Sequence, residues 1–66
     1  MQPHELRVVE EKTQLDERLG KLVKFTCSEM FTSLDVAEQD LMILQQNLMM
    51  QLSHVLGCRI KAFGKK

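Results

Sequence analysis

The chain has neither Trp nor Tyr, which leaves Phe25, Phe31 and Phe63 as its large aromatic side chains beside the imidazoles of His4 and His54. Its two cysteines, Cys27 and Cys58, are too few for the disulfide framework of a small secreted domain. Nothing at the N-terminus resembles a signal peptide, and these two observations together predict a cytoplasmic protein with buried, structural thiols. A zinc site built from Cys27, Cys58, His4 and His54 would lack any recognisable ligand spacing, so no metal is expected. There is no glycine-rich phosphate loop, no paired-carboxylate signature, and no apolar run near the roughly 20 residues that span a bilayer. Nine basic and nine acidic side chains cancel, leaving no net field to attract duplex nucleic acid or an anionic membrane. Sixty-six residues make one small domain without a cleft between lobes. No visible pattern places Cys27 or Cys58 beside His4 or His54 with an orienting group, so no catalytic residue and no cofactor are assigned and an enzyme is not expected.

What the sequence does have is helical periodicity. Leu34, Ala37, Leu41, Leu44, Leu48, Leu52, Val55, Leu56 and Phe63 recur at three- and four-residue intervals, which puts one apolar face on a long helix. Within them Leu34, Leu41, Leu48, Val55 and Ala62 follow a seven-residue repeat, the spacing that lines a seam with another helix. Upstream, Val8, Leu15, Leu19, Leu22 and Val23 form a narrower stripe, and Pro3 with Glu5 suits a first helical turn. The expected fold is all-α: one domain spanning 1–66, with a helix over about 3–27, a connection over about 28–34 and a helix over about 35–63. Asp35 with Glu38 resembles a capping box, and Met30 with Phe31 is expected to close over the turn. Gly20, inside the first helix, reads either as tolerated weakness or as a point of close backbone approach. Each long helix would measure roughly 40 Å at 1.5 Å per residue.

Such a two-helix hairpin has only one seam, yet the second helix is apolar beyond it. Met42, Ile43, Met49, Met50 and Ile60 fall partly off the leucine stripe, and a core of this size rarely stabilises a fold alone. These five residues are therefore the expected interface of a helical homo-oligomer, with the methionines filling irregular gaps.

Charge is distributed unevenly. Phe25 to Cys58 has no Lys or Arg and four acids (Glu29, Asp35, Glu38, Asp40), whereas Arg59 to Lys66 carries four bases and no acid. A turn centred near Met30 would set residues 4–8 across from about 54–60 and gather His4, Arg7, His54, Arg59 and Lys61 at the open end. Guanidinium groups grip phosphates in a fork and a helix N-terminus offers free N–H groups, so that end could hold a small anionic ligand. The same bases also offset the negative end of a helix dipole, which accounts for them without a ligand.

Pro3-His4-Glu5-Leu6-Arg7-Val8-Val9-Glu10-Glu11-Lys12, with Leu15-Asp16-Glu17-Arg18-Leu19 and Lys21-Leu22, looks like the opening of small phage and prophage proteins. Phe31-Thr32-Ser33-Leu34, Ala37-Glu38-Gln39 and the run Val55-Leu56-Gly57-Cys58-Arg59-Ile60-Lys61-Ala62-Phe63 are similar to the rest of those proteins. They resemble the helical-hairpin family of anti-CBASS and anti-Thoeris nucleotide sponges. The resemblance implies a phage protein in the cytoplasm of a bacterial host that assembles with itself, typically as a hexamer. It would sequester cyclic oligonucleotide or cyclic ADP-ribose-type signals without turnover. It implies phosphate contacts from Arg7, Arg59 or Lys61 and a stacked base. Members of that family commonly stack the base on tyrosine, a residue missing here. The alternative is a protein-binding module, a phage inhibitor or assembly factor that presents its Met-rich face to a host or phage protein.

Overall fold

The computed structural model describes residues 2–64, so the tail lysines Lys65 and Lys66 of the expected basic end lie outside the described residues. Glu5 sets the start of the first helix. Its carboxylate accepts a 2.7 Å hydrogen bond from the backbone N–H of Gln2, so a buried acid is satisfied by one of the donors that a helix start leaves free. Pro3 occupies the first position of this helix, α1 (Pro3–Thr26), where its missing N–H costs nothing. Ser28 then opens a single turn, α2 (Glu29–Thr32), and Asp35 precedes the long helix α3 (Val36–Phe63). At that junction the Asp35 side chain makes no cap hydrogen bond. Gln39 ties the turn instead, its amide donating to the Leu34 carbonyl at 2.8 Å.

Side-chain contacts run in opposite senses along α1 and α3: His4 meets Phe63, Lys12 meets Ser53, and Thr26 meets Gln46. The two long helices are therefore antiparallel, in a rod of 49 × 14 × 14 Å. Its core is thin. Val8, Leu15 and Leu56 are the buried hydrophobics, with Leu56 only 1% exposed, and Met49, Ile60 and Phe63 pack against them.

The face of α3 turned toward α1 is not the leucine stripe that the sequence suggests. Besides Gly57, the buried or half-buried positions are Met42, Met49, Leu56 and Phe63, with Gln39, Gln46, Ser53 and Ile60. They make two interleaved seven-residue repeats, the pattern of a continuous helix–helix seam. Leu41, Leu44, Leu48, Leu52 and Val55 stay 44% to 60% exposed. The reason is polar. α1 offers Lys12 and Thr26 along its inward stripe, and these two groups find polar partners across the seam, which a leucine row lacks and a Gln46–Ser53 row supplies.

Smaller expectations shift as well. The contacts between α1 and α3 centre the turn close to Leu34, about one helical turn beyond Met30, because α2 and the residues after it lengthen the connection. Phe31 packs edge-on against Phe25 with ring centres 6.4 Å apart, but Met30 points away and is exposed. Both cysteines are exposed rather than buried. Gly20 has open space where a Cβ would sit, so nothing approaches it closely.

Two outcomes follow from this packing. Leu56→Ala opens a hole at a fully buried side chain and should lower unfolding stability by about 2–5 kcal/mol in chemical denaturation; an unchanged midpoint would mean that the seam lies elsewhere. Gly20→Ala should raise stability by about 1 kcal/mol, because it removes backbone freedom from an exposed helix interior without a clash.

Candidate functional site

The polar row of the seam creates a concave surface on one side of the rod. Lys12, on α1, reaches across with Nζ donating to Asp16 Oδ2 at 2.6 Å and to Ser53 Oγ at 3.3 Å. Ser53 Oγ in turn donates to Asp16 Oδ1 at 2.5 Å, closing a three-membered ring of contacts between the helices. One turn further along α3 is Gly57. A Cβ there would stand 3.3 Å from Lys12 Cε, so the glycine leaves room for the lysine stem to lie against the helix. Small residues at 53 and 57, four apart on one helical face, thus admit a long cation between two backbones.

Beside this knot a groove of about 360 Å³ is lined by Lys12, Ser53, His54, Gly57, Cys58 and Lys61, together with Met50. His54 Nε2 and Cys58 Sγ are 3.7 Å apart along one turn of α3. This pairing corrects the expectation that no cysteine stands beside a histidine: the i,i+4 spacing on one helix was the available signal. Among the described residues no carboxylate hydrogen-bonds the His54 ring, so the orienting partner of a nucleophile–base–acid set is not seen. The groove is lined by the Lys61 ammonium, the His54 imidazole and the Lys12 ammonium, whose charge is paired with Asp16, and by no carboxylate, a set that suits an anion rather than a cation. No group of three or more metal-ligating side chains occurs among the described residues.

The five side chains expected at the open end are distributed over four places. His54 and Lys61 line the groove. His4 packs edge-on against Phe63, ring centres 6.3 Å apart, and closes the end of the rod with an aromatic pair. Arg7 is exposed on α1. Arg59 is exposed on α3 and continues the Leu41–Leu48–Leu52–Val55 stripe by its helical spacing, away from the groove. Lys12, Ser53 and Gly57 are the groove residues that the sequence reading passed over. Lys12 with Asp16 is an i,i+4 pair, and Lys12 shares a seven-residue repeat with Glu5, Leu19 and Thr26, so its inward position was readable once that repeat was chosen.

Of the expected interface residues, Met49 and Ile60 pack against the core within the chain and Met42 is half-buried in the seam, leaving Ile43 and Met50 exposed. A second, apolar depression of about 290 Å³ lies between Leu41, Leu44, Leu48 and Leu52 on the exposed stripe.

The hydrogen bond from Lys12, then that from Ser53, holds the Asp16 carboxyl below the usual aspartate range. A carboxyl depressed in the folded state contributes stability above its unfolded pKa and loses it as pH falls through the folded value. Acidification should therefore lower the melting temperature of the native chain more than that of Asp16→Asn; equal acid responses would show that the knot is not formed.

A protein-family model described as Sequestin matches residues 2–62. No curated protein and no solved structure matches.

Proposed function

The chain belongs to the Sequestin family, and on that premise we propose that it binds and sequesters a cyclic nucleotide second messenger of bacterial anti-phage defence, without turnover. The family name denotes a sequestering role; the ligand class comes from the resemblance of the sequence to nucleotide sponges. The observation that carries the reading is the groove, where Lys12, Lys61 and His54 converge on one concave surface of about 360 Å³. Cyclic oligonucleotides and cyclic ADP-ribose-type signals carry phosphates that ammonium groups bind by charge-assisted hydrogen bonds. Lys61 and His54 meet the phosphate, and Lys12 reinforces it from the opposite helix. A base stacks on His4 or Phe63 at the rod end, in place of the tyrosine used elsewhere.

Binding alone suffices for such a role, since removing a signal from solution needs affinity and copy number rather than chemistry. It also suits the size of the chain. In this reading the protein is phage-encoded, works in the host cytoplasm and acts as a homo-oligomer, a hexamer being the assembly that the resemblance implies. No helix among the described residues is long and apolar enough to cross a membrane.

A second reading, a module that binds a host or phage protein, draws on the exposed leucines of α3. Calorimetric titration with cyclic di- and trinucleotides and cyclic ADP-ribose isomers separates the two. The sponge reading expects saturable binding by the native chain, at least tenfold weaker in Lys61→Ala, with every bound nucleotide recovered intact after denaturation. No binding across that panel would remove the sponge reading, and native affinity in Lys61→Ala would remove the groove as the site. Recovery of a hydrolysed nucleotide would contradict action without turnover.

A further inference from the structure

We infer that the exposed leucine stripe of α3 pairs with the same stripe of a second copy, antiparallel and about a two-fold axis at Leu48. The inference gives the assembly proposed above a specific interface, and it rests on features independent of any ligand. The chain exposes 5268 Å². A compact monomer of 7.7 kDa exposes roughly 4300 Å², so the rod carries an excess of roughly 1000 Å². One partner's share of a standard interface is ~800 Å².

The position of that excess is given by the side chains. Leu41, Leu44, Leu48, Leu52 and Val55 form one unbroken row at three- and four-residue spacing, and the depression among Leu41, Leu44, Leu48 and Leu52 is a hole ready for a knob. A two-fold axis at Leu48 sets Leu44 against Leu52 and Leu41 against Val55 of the second copy, so apolar meets apolar at every level. A self-complementary patch of this kind closes into a dimer contact and does not run on into a fibre.

Charge selects the direction. α3 begins with Asp35, Glu38 and Asp40 and ends with Arg59 and Lys61, with no Lys or Arg between its start and Cys58. In parallel pairing, acids would face acids and bases would face bases. In antiparallel pairing, Arg59 of one copy flanks the row on the same side as Glu38 of the other, and the symmetry makes this contact twice. Both side chains are exposed in the isolated chain, so neither has to leave an existing partner in the core. Arg59 therefore serves the interface, while the groove with His54 and Lys61 faces away and stays open in the dimer.

The test is analytical ultracentrifugation of the full chain without ligand, with circular dichroism as the check on helicity. Glu38→Arg and Arg59→Glu should each weaken the dimer by about tenfold, and the double variant Glu38→Arg/Arg59→Glu should return it to near the native dissociation constant. Leu48→Glu should yield a helical or partly unfolded monomer, whereas Ile43→Glu, off the row, should leave the association unchanged. A double variant as weak as the worse single one would overturn the antiparallel arrangement, and a Leu48→Glu chain that still dimerises would overturn the surface. Nucleotide titration of the same samples is a separate readout: a native dimer that binds no nucleotide removes the sponge reading and leaves the interface standing.

Discussion

Lys12 lies between Asp16 and Ser53, and that knot decides which face of α3 meets α1. Lys12 lies on the inward stripe with its side chain still 28% exposed, so its stem packs against α3 while its ammonium stays at the water-facing edge of the seam, paired with Asp16 and Ser53. The helices therefore settle where Lys12 finds a hydroxyl, a carboxylate and the gap at Gly57. Thr26 and Gln46 make a second polar tie near the turn, so the register is fixed at two points along the seam. Leu15 between the ties, and Val8 and Leu56 beyond the Lys12–Ser53 tie, supply the burial, and polar contacts at a few seam positions are a known means of specifying register at some cost in stability.

The arrangement divides α3 into three working faces. One packs within the chain, one carries the groove with His54 and Lys61, and one leaves five large aliphatic side chains in water. With Val8, Leu15 and Leu56 as the buried hydrophobics among the described residues, the hairpin has little cohesion of its own, so the third face is where added stability would come from. In the sequestering role proposed here, assembly and ligand binding use different sides of the same helix, which lets one short chain do both without an insertion or a second domain.

Much of the fold was legible in the sequence. The 3.6-residue periodicity announced an all-helical chain, and Pro3 with Glu5 marked the first turn. The seam was not legible in the same way, because a row of leucines is the strongest apolar signal on α3 and the residues that face α1 are a mixture of Met, Gln, Ser, Leu and Ile. Hydrophobicity alone chooses the leucines; satisfying Lys12 chooses the mixed row. The candidate site suffered from the same error. With the turn placed at Met30 and the leucines turned inward, His4, Arg7, His54, Arg59 and Lys61 appear to converge, whereas the observed rotation of α3 sends His54 and Lys61 to the groove and Arg59 to the opposite flank. Lys12, Ser53 and Gly57 went unnoticed because a lysine, a serine and a glycine carry no motif until the helix facing them is in register.

Native mass spectrometry of the unmodified chain with cyclic di- and trinucleotides and cyclic ADP-ribose isomers tests the central claim most directly, since it reads subunit number and ligand number in one spectrum. The account predicts an assembly with an even number of copies that gains an integral number of nucleotides of unaltered mass. A monomer, an odd-numbered assembly, or an even-numbered assembly that gains no nucleotide from the whole panel would contradict it.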